Sequence, residues 1–144
     1  MLAVLLHENG YLSEDIDYKR LLELVLLHDI GESVIGDVTP ASRVPAKKKA
    51  GMERDAVGKV LDNVPGLDTL KNDLASLVSD QGDQMTDPVH ELVKQIDKLD
   101  MMIQALLYER EYGTDLSDFH GYPEKYLVNE QLLAFFESVK LALG

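Results

Sequence analysis

Val89, Leu92, Val93, Ile96, Leu99, Ile103, Leu106 and Leu107 recur at intervals of three and four residues, which places them on one face of an α-helix. Pro88 suits the first turn, where the missing N–H of proline costs nothing. The spacing therefore predicts a helix from Pro88 to about Glu111. Such a helix is roughly 35 Å long, and its apolar stripe is covered only if several other elements lie against it. The remaining apolar segments must be those elements.

Leu21, Leu22, Leu24, Val25, Leu26 and Leu27 are too uniformly apolar for an amphipathic surface helix. Asp15 or Asp17 can cap its start, so a buried helix is predicted from about Asp17 to Asp29, ending at Gly31 to Gly36. Ala46 to Leu61 is rich in helix formers, with Pro45 suited to its first turn and Pro65-Gly66 as its stop. Leu67, Leu70, Leu74, Leu77 and Val78 predict a third amphipathic helix up to Ser79, broken by Gly82. Gly113 to Pro123 reads as a loop and Leu127 to Leu143 as a closing helix. No stretch alternates with period two, and no repeats or low-complexity tracts occur. The expectation is an all-α fold, a helical bundle of about six helices in a single domain over residues 1–144, with the His28 helix central and the long helix packed across it.

Composition narrows the function. The 144 residues carry a net charge of -12, which repels nucleic-acid backbones and anionic lipid head groups. Cysteine is absent, excluding disulfides, Cys-type zinc sites, iron–sulfur clusters and thiol nucleophiles. No apolar run approaches the roughly 20 residues of a spanning helix. Neither a nucleic-acid polymer nor a membrane is an expected partner. The chain lacks a Walker A loop, a GxGxxG fingerprint and a nucleophile elbow.

Chemistry concentrates at His28-Asp29, followed by Glu32 and Gly36-Asp37. Imidazole and carboxylate are ligands of divalent metals, and a helix end lets them turn inward without interrupting the helical ladder. Glu32, four residues after His28, is placed to reach a metal-bound water as a general base. The alternative is an ordinary polar helix terminus with an ion-paired histidine. Asp97 lies at the edge of the long apolar stripe, where a carboxylate is costly unless paired; its partner is either a metal or, in a salt bridge, Lys94 or a residue on another helix. Arg43, Lys47, Lys48, Lys49 and Arg54 form a basic concentration that could draw in a phosphate monoester or simply be a solvated face. His90 is too far along the helix from Asp97 to share an ion and reads as a surface or core-edge histidine. His120 falls in a loop with no assignable acidic partner. Met101 and Met102 read as core or dimer surface, and Leu133, Phe136 and Leu143 exceed what one small core requires.

The string HDIGESVIGDVTP (His28 to Pro40), the helix ELVKQIDKLDMMIQALLYE (Glu91 to Glu109) and DLSDF (Asp115 to Phe119) together resemble the HD-domain phosphohydrolases, within the branch of the 5'-deoxynucleotidases. The resemblance implies a helical fold in which one divalent metal ion (Mn, Co, Mg, Zn, Ni or Fe) is held by an early histidine, the His-Asp pair and a later aspartate. Here the pair is His28 and Asp29, and the later aspartate is Asp97. Glu32 corresponds to the glutamate that activates or positions the attacking water, and Asp37 to an acidic residue of the nucleotide pocket. These two are the implied catalytic residues, with Asp37, Thr39 and Lys94 the implied substrate-binding set. The implied activity is hydrolysis of (deoxy)nucleoside 5'-monophosphates to nucleoside and phosphate by a cytoplasmic homodimer. The alternative is a non-catalytic dimer of the same fold that senses nucleotides or binds partners. The early histidine of the family precedes the position of Met1, and His7 lies about a dozen residues, roughly 18 Å of helix, beyond it. The expectation is therefore that an N-terminal segment carrying that ligand is missing.

Overall fold

A computed structural model describes residues 1–36, 44–62, 64–79 and 87–143. Its elements are α1 (Leu2–Glu8), α2 (Tyr18–Leu27), α3 (Glu32–Ile35), α4 (Ala46–Leu61), α5 (Asp68–Ser79), α6 (Pro88–Tyr112), α7 (Ser117–His120), a 3₁₀ turn (Pro123–Lys125) and α8 (Glu130–Leu143). No strand occurs among the described residues, so the fold is the expected all-α bundle.

The long helix α6 organises the rest. Its start is held by Asp87, whose carboxylate accepts the Val89 N–H at 2.9 Å and the His90 N–H at 3.3 Å, satisfying donors that a first turn leaves orphaned. Its end is Gly113 in the left-handed region at φ 65°, a conformation glycine adopts without steric cost. Between these ends Leu92, Val93, Ile96, Leu99 and Met102 are buried. They share one core with residues of α1, α2 and α8, and α6 also contacts α7. Leu99, Met102, Leu21, Leu24, Leu132 and Phe136 are completely covered, each worth about 1.5–3 kcal/mol of apolar burial.

Three local expectations are corrected by packing. The His28 helix is one-sided rather than buried all round: only Leu21 and Leu24 are fully covered, while Leu26 is 77% exposed. The run of leucines overstates burial because a single contact face on α6 and α5 can cover only part of a helix circumference. Phe136 belongs to the core of this same chain, and Leu133 packs against that core, so neither is surplus apolar surface. The segment Gly113 to Pro123 is not simply loop, since α7 forms within it. In addition α8 begins later than predicted, with Asn129 Oδ1 accepting the Gln131 and Leu132 N–H groups at 3.0 and 3.2 Å.

Helices α4 and α5 pack on each other, and α5 also touches α2. The turn between α2 and α3 docks on α4 through Gly31, where an added Cβ would lie 3.0 Å from the Glu53 carbonyl oxygen. That close approach brings α4 beside the residues that end α2.

Candidate metal centre

His28 is the C-cap of α2, its N–H donating to Leu24 O at 2.7 Å. Its ring is fixed by a second local bond, Nδ1 to Val25 O at 2.8 Å. A carbonyl can only accept, so Nδ1 carries the proton and Nε2 is the free ring position. Nε2 faces two carboxylates, with Asp29 Oδ2 at 3.1 Å and Asp97 Oδ1 at 3.9 Å. Neither oxygen forms an aligned hydrogen bond, so Nε2 is buried beside two carboxylates without a hydrogen-bond partner. A backbone-anchored imidazole with its other nitrogen aimed at two carboxylates is the arrangement in which histidine ligates a cation.

The electrostatics follow from this placement. The Asp29 carboxylate, and behind it Asp97, favour the imidazolium and push His28 up to about 10 despite its burial. Reciprocally, His28 and then Lys98 hold the Asp97 carboxyl below its usual range. The cations beside Asp97 are Lys98, at 3.1 Å on its own helix, and His28, at 3.9 Å from another helix. Lys94 lines a cavity of about 140 Å³ with His28, Glu53, Leu77, Val78, Val93 and Asp97. A second cavity, about 250 Å³, opens on the other side of the His28–Asp97 pair and is lined by Asp29, Asp100, Val25, Val93, Ile96, Met1 and Leu2.

Glu32 opens α3, and its N–H donates to the Asp29 carbonyl at 2.9 Å. It therefore belongs to a separate short helix after a turn, not to a continuation of α2. Asp37, Thr39 and Arg43 lie outside the described residues. Of the basic concentration, Lys49 pairs with Glu53 at 3.4 Å and Arg54 donates to Ser79 Oγ at 3.0 Å.

Two histidine environments escaped the sequence. His90 is 2% exposed and its Nε2 lies 2.7 Å from Asp73 Oδ1. With Asp87 these residues form a group of metal-ligand type, but the Arg20 guanidinium already fills its centre. It donates to Asp73 at 2.6 Å and to Asp87 at 2.7 and 3.1 Å, and Nη2 also sits 3.1 Å from His90 Nε2. A fixed cation there excludes a second one, so this cluster is structural. His120 likewise has an acidic partner after all, Glu109 Oε2 at 2.8 Å, and Glu109 Oε1 also accepts the Leu116 N–H at 2.5 Å. Glu109 thereby ties α7 to α6. In both cases the partners are brought together by helix packing or a loop return, outside the four-residue reach of helical pattern reading.

A helical bundle with a His-Asp pair at one helix end and an aspartate from a crossing helix brings side chains of metal-ligand type together. The HD domain profile matches residues 1–133, and the chain belongs to the HD-domain family. HD domains are metal-dependent. The chain is similar to the 5'-deoxynucleotidase HDDC2 of Danio rerio, 34% identical over 100 residues, covering 68% of this chain and 48% of that protein. It is 29% identical over 114 residues to the HDDC2 5'-deoxynucleotidase of Dictyostelium discoideum, covering 77% and 58%. Against the 5'-deoxynucleotidase hdd1 of Schizosaccharomyces pombe it is 31% identical over 107 residues, covering 72% and 54%. The chain thus spans about half the length of these relatives. No solved structure matches it.

Proposed function

We propose that this chain carries the core of a metal-dependent phosphomonoesterase that hydrolyses (deoxy)nucleoside 5'-monophosphates to nucleoside and phosphate. The observation that carries the reading is His28, with Nδ1 committed to a backbone carbonyl and a buried Nε2 facing Asp29 and Asp97 without a hydrogen bond. The names of its relatives, 5'-deoxynucleotidases, supply the substrate class.

In this reading His28, Asp29 and Asp97 hold one divalent ion, of which Mn, Co, Mg, Zn, Ni and Fe all suit an imidazole and carboxylates. The ion would lower the pKa of a bound water and polarise a phosphoryl oxygen. Glu32, one turn beyond Asp29, takes or orients the water's proton. Asp37 and Thr39 contact the nucleoside, and Lys94, beside Asp97 in the smaller cavity, faces the phosphate. No covalent intermediate is required. We further propose that the chain is one domain over residues 1–144, that it acts in the cytoplasm, and that it forms a homodimer. Exposed aromatics near the end of α6, Tyr108 and Tyr112, and beyond it Phe119 and Tyr122, support an interface of that kind. No helix among the described residues is long and apolar enough to cross a membrane.

The test is phosphate release by the full-length protein from deoxy- and ribonucleoside 5'-monophosphates with Mn, Co, Mg or Zn supplied in turn. Metal-dependent release that is lost in Asp97→Ala is the expected result. No release with any metal, while nucleotide binding persists, would replace this reading with the non-catalytic sensing dimer.

A further inference from the structure

Asp100 has no role in the site as described, yet it lines the same cavity of about 250 Å³ as His28, Asp29 and Asp97. It follows Asp97 by three residues on α6, so the two carboxylates lie on one flank of the helix, about 4.5 Å apart along the axis. Asp100 is exposed, and it makes no hydrogen bond or ion pair among the described residues. Three carboxylates thus border one small space, and the ammonium of Lys98 pairs with one of them, Asp97. The space is also faced by Nε2 of His28, which is buried without a hydrogen-bond partner and lies 3.1 Å from Asp29, a ring position of the kind that ligates cations. A carboxylate one helical turn from a ligand can accept a hydrogen bond from water on the ion and so hold it in place.

We propose that Asp100 is a positioning residue for the ion held by His28, Asp29 and Asp97, acting through ion-bound water and through its negative charge. The proposal rests on the reading that these three residues bind a divalent cation. Because Asp100 is exposed and unpaired, replacing it costs the fold little, and an effect on the ion can be separated from an effect on stability.

The experiment is Mn2+ titration of the full-length protein, followed by the electron paramagnetic resonance of free Mn2+, with Tm measured alongside. Asp100→Asn is expected to weaken Mn2+ affinity roughly tenfold, the loss typical of an outer carboxylate, at unchanged metal-free Tm. Asp97→Ala should weaken it by about a hundredfold or more. Glu137→Gln, which removes the same charge from an exposed position on α8, should leave it unaltered. If Asp100→Asn matches Glu137→Gln while Asp97→Ala abolishes binding, the role of Asp100 is overturned and the metal centre stands. An Asp100→Asn variant that lowers Tm without changing affinity overturns it equally. If Asp97→Ala binds Mn2+ as well as the unaltered protein, or the unaltered protein binds none, the metal reading fails and the inference fails with it.

Discussion

Replacing Arg20 with methionine removes one cation from between three partners on two other helices and a helix cap. Arg20 meets Asp73 of α5 through two bonds of 2.6 Å and Asp87, the cap of α6, through bonds of 2.7 and 3.1 Å. The side chains of Arg20, Asp73 and Asp87 are 31%, 17% and 29% exposed, so the pairs are largely desolvated but still reach water. A hydrogen bond to a charged group is worth about 1.5–3 kcal/mol, and breaking a fully buried pair costs about 3–5 kcal/mol. Partial exposure and non-additivity place Arg20→Met near 3 kcal/mol of lost stability at pH 7, by that same order of magnitude. The loss carries a pH signature. The Arg20 guanidinium is the main reason that the Asp87 carboxyl is lowered from 3.8 to about 2, and it lowers Asp73 in the same direction. A carboxyl depressed in the folded state stabilises above its unfolded value, and that contribution disappears as pH falls through the folded one. For Asp87 it amounts to about 2 kcal/mol, at roughly 1.36 kcal/mol per pH unit. Urea denaturation of both proteins, followed by circular dichroism between pH 7 and pH 2.5, should show the gap narrowing from below pH 4. A gap under about 1 kcal/mol at pH 7, or one that is the same at pH 3 as at pH 7, would refute the view that this knot fastens α2 to α5 and α6.

Leu99→Ala, at a position of zero exposure on α6, should cost about 2–5 kcal/mol in the same denaturation assay. Gly113→Ala should cost about 1 kcal/mol: φ is +65° with open space around the added Cβ, so the penalty is conformational, and Gly113→Asn should recover part of it. Metal-free His28 keeps its proton up to about 10, and cation binding must displace it. Mn2+ affinity should therefore rise between pH 6 and pH 9, by up to about tenfold per unit, and a flat profile would contradict the assignment of Nε2 as ligand. The same raised value means that His28 stabilises the metal-free fold fully below its unfolded value and loses that contribution as pH climbs through about 10.

What could be read from residues alone was local. The bounds Ala46–Leu61 of α4 follow from helix formers between an entry proline and Pro65-Gly66, the end of α5 at Ser79 from apolar spacing, and the span of α6 from apolar spacing with Pro88 at its entry, signals confined to a turn or two of chain. The all-α class follows from the same periodicity. The chemistry of His28, Asp29, Glu32 and Asp97 was legible as residue types, and their grouping came from resemblance to a family rather than from spacing. Tertiary structure decided the rest. It brought Asp97 to 3.9 Å from His28 across two helices and set the Lys98 ammonium 3.1 Å from Asp97. It also buried His90 against Asp73 and Arg20, 17 and 70 residues away in the chain, and it turned the α2 leucines into a one-sided contact. A charge or an imidazole takes its meaning from the partner it meets, and helical periodicity specifies which face a residue occupies without specifying what that face will touch.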